Sequence, residues 1–229
     1  MMIKHYLKVA FRNLAKYKVQ SIVSILGLAV GFVCFALSTL WIRYEMTYDT
    51  FHEGAERIYL VRAHYAHEPG KISNSTPYPL ADYLQKGNPE IEAMASTSVQ
   101  KVKFRVKDTE KDVVSATADS VLMNFFNIRV LRGTVNFLKG TNGEIAITEE
   151  FSKRIFGEEE ALGREVEVSG HASKVGAIVS GWSSHSNIPY SILTSARHYT
   201  QWGSANENLF VRILSLIHIS EPTRLDVIS

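Results

Sequence analysis

The stretch from residue 19 to residue 42 constrains this chain most, because it contains no charged residue over 24 positions. At about 1.5 Å of rise per residue, a helix of that length exceeds the ~30 Å hydrocarbon core of a bilayer. The apolar run of a cleaved signal peptide is only about 7–15 residues long and leads into small residues. This run ends instead in Leu40, Trp41 and Ile42. We therefore predict a retained transmembrane helix over residues 19–44.

The charges on either side of this stretch predict its orientation. Five basic residues come before the first acidic residue, Glu45: Lys4, Lys8, Arg12, Lys16 and Lys18. By the positive-inside rule, they place the N-terminus in the cytoplasm, and Trp41 and Tyr44 lie where an aromatic interface belt is expected. The formal net charge of the whole chain is only +2, so composition gives no indication of nucleic-acid binding.

Residues 1–18 show a second pattern, that of an amphipathic interfacial helix. At 100° per residue, Lys4, Lys8, Arg12 and Lys16 fall on one side, and Ile3, Leu7, Ala10, Phe11 and Leu14 fall on the other. Such a helix would lie along the inner leaflet, with its lysines near anionic lipid headgroups. The alternative is a plain cytoplasmic flank whose charges only set the topology.

Within the predicted span, Gly27 and Gly31 form a GxxxG motif. Two small residues at this spacing allow a second helix to approach closely in lipid, so this pair is the candidate helix-packing site. Cys34, the single cysteine of the chain, lies in the same stretch. An intrachain disulfide and a cysteine metal site are therefore both excluded.

The region from residue 45 to residue 213 alternates strand and helix patterns. Strand-like sequence covers 58–66, and a helix with proline in its first turn is expected over 77–86. Apolar and basic residues then alternate over 102–107, which predicts a strand with one solvated face. We expect a turn at 108–111, a returning antiparallel strand at 113–117 and a short helix at 119–126 that ends in core phenylalanines.

The clearest local unit covers residues 144–157. Ile145 and Ile147 alternate in a strand, Thr148 is a candidate N-cap, and Gly157 offers a C-terminal stop for the helix. Two more strands, 165–168 and 175–179, are expected on either side of a turn near Gly170. The predicted fold class is therefore α/β, in the mixed α+β sense, for an extracytoplasmic domain that follows the amphipathic and transmembrane helices.

No constellation of residues in the chain predicts enzyme chemistry. A GxxxxGK[ST] phosphate loop is absent, which excludes a Walker-type nucleotide site in this chain. His64, His67 and Glu68 do not have the HExxH or HxxEH spacing of zinc enzymes. The run of Ser183, Ser184, His185 and Ser186 lacks a GxSxG elbow, and we interpret it as a polar loop. We expect no catalytic residue, no metal and no cofactor.

We interpret the C-terminal stretch 214–229 as having a different origin from the rest of the chain. Residues 214–224 read LSLIHISEPTR, which matches an in-frame translation of a transposase adapter used in DNA sequencing libraries. After three index-encoded residues, Ile228 and Ser229 match the point where the adapter resumes. We therefore expect residues 214–229 to be non-native and the true chain to be truncated near Ile213. The alternative is a genuine amphipathic C-terminal strand.

Four stretches in order resemble a known family: NLAKYKVQSIVSILGLAVGF, RYEMTYDTFHEGAERIYLVR, SVLMNFFNIRVLRGT and EIAITEEFSKRIFGEEEALGREVEV. Together they resemble the FtsX-like, MacB-like permease subunits of ABC transporters, in the form common in Bacteroidetes-type genomes. The most specific pieces are Tyr48, Asp49, Phe51 and His52, followed by Ile58 and Tyr59, and the strand and helix that end at Phe156 and Gly157. The resemblance covers nearly all of residues 1–213.

The resemblance implies a permease of the inner membrane with one transmembrane helix, a MacB-like periplasmic core domain at residues 45–213 and three later helices. Its implied partners are a separate cytoplasmic ABC ATPase, a second permease protomer and membrane lipids, with periplasmic or outer-membrane partners as a further expectation. ATPase cycles would move the outer domain for export or extraction of a substrate. Within this picture, Tyr48, Asp49, Phe51 and His52 are the candidate joint between helix and domain.

Two other functions remain open at this point. A membrane-anchored sensor ectodomain of a two-pass receptor would have the same N-terminal topology, and a downstream signalling module would identify it. A membrane-tethered hydrolase has less support, because no nucleophile and base can be placed together in the sequence.

Overall fold

The computed structural model describes residues 2–64, 70–107, 109–182 and 186–214. The chain divides into two compact units, Met1–Tyr48 and Asp49–Ser229. His67, Glu68, Asp108, Ser183, Ser184 and His185 lie outside the described residues, as does the adapter-like stretch from residue 215 onward.

The first unit consists of two helices, α1 (Met2–Lys16) and α2 (Lys18–Met46). Tyr17 lies between them with φ −105° and ψ 58°. The hydroxyl of Ser21 donates to the backbone oxygen of Leu14 at 3.1 Å, which links the two helices across this break. Among the described residues, α2 is the one helix that is long and apolar enough to cross a membrane, and none of its residues is buried.

The second unit is a mixed α+β domain. Its first half contains β1 (Ile58–Leu60), β2 (Ala63–His64), β3 (Ile72–Ser73), β4 (Ser75–Pro77), α3 (Pro79–Gly87), β5 (Ile91–Thr97), β6 (Val99–Val106), β7 (Thr109–Ala118) and α4 (Ser120–Phe125). Its second half contains β8 (Val130–Gly133), β9 (Glu144–Thr148), α5 (Glu149–Phe156), β10 (Glu165–Val168), β11 (His171–Val179), β12 (Ile192–Ser195) and β13 (Ala205–Ile213). Single turns of 3₁₀ helix occur at Ala55–Arg57 and Val135–Lys139.

The smaller sheet is organised around β13. This strand pairs antiparallel with β5 on one side and with β1 and then β4 on the other. A separate two-stranded ribbon joins β2 to β3.

The larger sheet has seven strands in the order β10-β6-β7-β12-β9-β11-β8. Because β10 also pairs with β11, the hydrogen bonding of this sheet closes on itself. The pairs β9–β11 and β7–β12 are parallel, and the other pairs are antiparallel.

Two hydrophobic clusters form the core of the second unit. One joins the two sheets: Phe210 of β13 and Ala95 of β5 pack with α4 and with residues of the larger sheet. The other lies at α5, where the rings of Phe104 and Phe151 meet edge to face at 5.0 Å. Burial of these side chains is the main favourable contribution to folding.

Several sequence predictions are confirmed. In the strand predicted at 102–107, Val102 and Phe104 are buried, whereas Lys103 and Arg105 are exposed. The oxygen Oγ1 of Thr148 accepts a hydrogen bond from the amide of Phe151 at 3.2 Å, as expected of an N-cap. The short helix after Asp119 and the strands on either side of Gly170 also form.

Other boundaries were wrong. Pro77 belongs to β4, and α3 begins at Pro79, whose fixed φ suits the first helical turn. The strand expected at 58–66 is broken into β1 and β2, which pair with different partners. Residues 109–111, expected in a turn, already belong to β7 and pair with β6. The strands β3, β4, β5, β8, β12 and β13 were not predicted.

Candidate functional site

The residues predicted to form a joint fall on the two sides of the boundary between the units. Tyr48 belongs to the first unit, where its ring meets that of Tyr44 edge to face at 5.6 Å. Asp49, Phe51 and His52 belong to the second unit. Of these three, Asp49 and His52 contact the core of the domain, whereas 44% of Phe51 is exposed. We call residues 49–55 the anchor segment.

Asp49 fixes the anchor segment to a distant part of the chain. Its backbone has φ 56°, in the left-handed region that Asp tolerates better than most residues. The hydroxyl of Ser186 donates to Oδ1 of Asp49, and the side-chain amide of Asn187 donates to Oδ2 at 2.8 Å. The backbone amide of Asn187 lies 3.2 Å from the same Oδ2. Hydrogen bonds to an ionised carboxylate are among the stronger ones in proteins, so this contact holds the segment firmly.

Asp49 also orders the backbone after Ser186. The hydroxyl oxygen of Ser186 accepts a hydrogen bond from the amide of Ile188 at 3.2 Å. Ser186 and Ile188 are both buried, whereas Asp49 is half-buried and Asn187 is exposed, so the carboxylate binds at the edge of the packed interior.

His52 packs as an aromatic ring. Its imidazole centroid lies 4.9 Å from the ring of Phe126 and 4.8 Å from the ring of Trp182. Trp182 in turn meets Tyr190 at 4.8 Å, and Phe126 meets Phe210 at 5.3 Å. Contacts at these centroid distances are favourable for aromatic pairs. We call these five rings the aromatic cluster.

Burial sets the protonation of two rings in the aromatic cluster. Desolvation lowers the pKa of His52, and the nearby Asp49 carboxylate opposes that shift without cancelling it. Burial raises the pKa of Tyr190, whose hydroxyl donates to the backbone oxygen of Ser180 at 2.9 Å. Both shifts favour the neutral form of the ring, which suits its packing in the aromatic cluster.

A cavity of about 370 Å³ lies beside the anchor segment. Asp49 and His52 form part of its wall, together with polar side chains that include Arg62, Asn74 and Asn208. Phe126 and Phe210 contribute an apolar surface. Its volume and its mixed lining are within the range of ligand pockets.

A polar cluster around His198 was not predicted from the sequence. The atom Nε2 of His198 lies 3.1 Å from Oδ2 of Asp119, and Nδ1 lies 3.6 Å from Oε1 of Glu207. The ring of Tyr78 stacks on the imidazole at 3.9 Å. The Asp119 hydrogen bond and the Glu207 carboxylate raise the pKa of His198 to about 9, although burial opposes the shift. His198 is therefore a cation at neutral pH and makes ion pairs with the half-buried Asp119 and the buried Glu207.

Asp119 makes two contacts in this cluster. Its Oδ1 accepts from the amide of Leu122 at 2.7 Å and so caps α4, while Oδ2 faces His198. Burial works against ionisation, but these hydrogen bonds lower the pKa of Asp119 on balance. The sequence predicted the helix that begins here but not the contact with His198, because the imidazole comes from a loop 79 residues away.

The other predicted positions lie in the first unit. Lys8, Arg12 and Lys16 are exposed on α1, and Lys4 belongs to the same helix. Gly27 and Gly31 have open space around them, and the rings of Trp41 and Tyr44 lie 6.3 Å apart. Within the described part of the chain, no three His, Cys, Asp or Glu side chains are arranged to hold a metal ion.

Most of the chain is similar to a known protein family. Residues 21–216 match the family model described as MacB-like periplasmic core domain. A domain of a putative permease from Porphyromonas gingivalis has a similar fold, with a TM-score of 0.59, 18% identity, and coverage of 71% of this chain and 77% of that one.

A second solved structure, the extracellular domain of the noncanonic ABC-type transporter YknZ from Gram-positive bacteria, has a TM-score of 0.52 and 17% identity. It covers 69% of this chain and 83% of that one. At these identities the likeness concerns the fold. No curated protein sequence matched the chain.

Proposed function

Because the chain belongs to the ABC transporter permease family that carries a MacB-like periplasmic core domain, we propose that it couples the cycle of a cytoplasmic ATPase to movement of its extracytoplasmic domain. The movement would serve export or extraction of a substrate. In this proposal α2 spans the inner membrane, α1 and its basic residues lie on the cytoplasmic side, and the second unit lies outside.

One observation supports this mechanism above the others. Asp49 is the first residue of the second unit and comes three residues after the end of α2. Its carboxylate is bonded to Ser186 and Asn187, and His52 packs in the aromatic cluster. Very little free chain therefore separates the apolar helix from the point where the domain is held. A displacement of the helix end would be passed to the domain core rather than absorbed by a flexible linker.

The partners follow from the division of labour in such transporters. The family is one of transporter permeases and not of enzymes, and this chain contains no Walker phosphate loop. We therefore place ATP hydrolysis on a separate subunit and propose a second permease protomer in the complex. For α1 we propose contact with lipid headgroups through Lys4, Lys8, Arg12 and Lys16. For Gly27 and Gly31 we propose contact with another helix.

The test uses the full-length permease reconstituted with its ATPase in lipid nanodiscs. A spin label at Lys101→Cys, an exposed position on β6, in a Cys34→Ser background reports the distance between the outer domains of two protomers. We expect ATP and vanadate to change this distance in the wild-type complex. In Asp49→Ala the change should be lost or much smaller, because the carboxylate contacts that fix the anchor segment are gone.

A matched variant separates coupling from general damage. Asp112→Ala removes an exposed carboxylate of β7 and should leave the distance change intact. ATPase binding and basal hydrolysis should be the same in both variants. Failure of any ABC ATPase to bind the full-length protein would contradict the proposed function, and an unaltered distance change in Asp49→Ala would contradict the joint.

A further inference from the structure

One edge of the strand β7 is unpaired along the first half of the strand. Along its length it pairs with β6 on one side, with Thr109 opposite Val106 and Ala116 opposite Val99. On the other side β12 covers Ser115–Ala118 alone, and the amide of Ser191 reaches Val114 at 2.8 Å. Within the described part of the chain, residues 109–113 have no strand on that side. An open edge presents unpaired backbone donors and acceptors, and it is a template for another strand.

Cations surround this edge. A cleft of about 320 Å³ is lined by Lys107, Lys111, Arg154 and Arg164. Arg164 is paired with Glu159, the one acidic residue among the described lining residues, at 2.7 Å. Lys107 and Lys111 have no carboxylate partner among the described residues, and the guanidinium of Arg154 lies over the ring of Phe151 at 5.2 Å.

The neighbouring carboxylates are occupied elsewhere. Glu110 pairs with Lys103 at 2.7 Å, and Glu149 pairs with Lys153 at 2.8 Å. The exposed Asp112 of β7 lies opposite the same Lys103 in the strand pairing and is not among the residues that line the cleft. The positive charge at the cleft is therefore not neutralised by these residues. Attraction for an acidic partner follows from the resulting potential.

The floor of the cleft is apolar. Val106, Ile155 and Phe156 are half-buried and belong to the lining, where they pack against the core cluster at α5. A partner that fits the cleft therefore needs an apolar side chain between acidic ones. Side chains at alternate positions of an extended peptide point to the same side, which meets this requirement.

From the open edge, the unpaired cations and the apolar floor, we propose that β7 binds an acidic peptide segment of a partner protein as an added strand along residues 109–113. The backbone of the peptide pairs with the edge of β7. Its acidic side chains meet Lys107, Lys111 and Arg154, and an apolar side chain covers Ile155 and Phe156.

The same charges argue against two other occupants. A second copy of this chain paired at the same edge would bring lysines against lysines, which like-charge repulsion disfavours. An anionic lipid headgroup satisfies the cations but leaves the backbone groups of β7 unpaired. The peptide uses both features.

The probe is a fluorescein-labelled peptide, ETFTETE, which places three glutamates and a phenylalanine on one side of an extended strand. Binding is measured by fluorescence anisotropy with the full chain in nanodiscs of zwitterionic lipid. Lys107→Glu combined with Lys111→Glu should weaken binding by about tenfold or more, and added salt should weaken wild-type binding. Lys101→Glu, an equally exposed lysine on β6 outside the cleft, should change it by less than about twofold.

Peptide variants keep the test independent of protein folding. The charge-reversed peptide KTFTKTK should not bind. The N-methylated form of ETFTETE, which cannot donate backbone hydrogen bonds, should lose binding as well. Equal binding of the N-methylated peptide would overturn strand addition. Equal losses in Lys101→Glu and in the double variant would overturn the location. Displacement of the peptide by vesicles of anionic phospholipid, with no effect of N-methylation, would assign the cleft to lipid.

Discussion

His198 shows how a single side chain can hold distant parts of the outer domain together. Its imidazolium pairs with Asp119 at the start of α4 and with Glu207 on β13. The side chain of His198 is 18% exposed and that of Glu207 is 7% exposed, so both charges are largely removed from water. Removal of the imidazolium would leave the buried Glu207 carboxylate without this partner, which is costly.

This environment predicts a pH dependence of stability. Folding raises the pKa of His198 from 6.5 to about 9. The stabilisation by its ion pairs is therefore complete below about pH 6.5 and is lost as the pH rises through about 9. We expect His198→Gln to cost about 1–2 kcal/mol at pH ~6 and much less at pH ~10.

The measurement is the melting temperature of the full chain at both pH values, followed by tryptophan fluorescence. His64→Gln replaces an exposed histidine on β2 and serves as the control, with no expected change in the pH profile. If His198→Gln lowered the melting temperature equally at both pH values, the ion pairs would not be the source of its stabilisation.

The short helix α4 takes part in two groups of contacts in the domain, the polar cluster around His198 and the aromatic cluster. Asp119 caps its first turn and faces His198, while Phe125 and Phe126 lie at its end. Phe126 contacts His52 of the anchor segment, and the guanidinium of Arg212 on β13 lies over the Phe125 ring at 4.5 Å. One short helix therefore connects the anchor segment to the centre of the smaller sheet.

The pairing of β8 with β11 gives a second prediction. Gly133 has φ 88°, and an added Cβ would lie 2.3 Å from the backbone oxygen of Gly176. Gly170 has a similar φ of 82° but open space around it. Gly133→Ala should therefore destabilise the domain by about 2 kcal/mol more than Gly170→Ala, because both substitutions strain the backbone but only the first also clashes.

Urea denaturation of the two variants, followed by tryptophan fluorescence, measures this difference. Gly170→Ala controls for the cost of a side chain at positive φ, so the excess isolates the close approach of β8 to β11. Equal denaturation midpoints would contradict the described pairing of these strands.

Local signals predicted part of this fold, and long-range pairing explains the rest. The β6–β7 hairpin and the unit from β9 to α5 were visible because their alternation, cap and stop are contiguous in sequence. The central strand β13 was not, because it carries the buried polar residue Glu207 and pairs with strands more than 100 residues away. Such a strand is identified by its partners rather than by its own pattern.

The candidate site, too, could be predicted only in part from the sequence. Asp49 and His52 were singled out through the family resemblance, and their local sequence gave no partner for either. Ser186, which accounts for the position of Asp49, lies 137 residues later in a run interpreted as a polar loop. Its role depends on tertiary contacts, and its buried position is not encoded in the spacing of neighbouring residues.

The whole molecule consists of a two-helix unit followed by an α+β domain within one chain. Family membership makes this a membrane-anchored permease with an extracytoplasmic domain, and the proposed orientation rests on the basic residues of α1. The coupling mechanism, the peptide site and the roles of α1 all require that orientation. Its direct measurement is therefore the most informative experiment.

The decisive measurement is labelling of intact cells with a membrane-impermeant maleimide. Two single-cysteine variants are compared in a Cys34→Ser background: Lys8→Cys in α1 and Lys101→Cys in β6. The account predicts labelling of Lys101→Cys in intact cells and of Lys8→Cys only after the membrane is permeabilised. Labelling of Lys8→Cys in intact cells, with Lys101→Cys protected until permeabilisation, would contradict it.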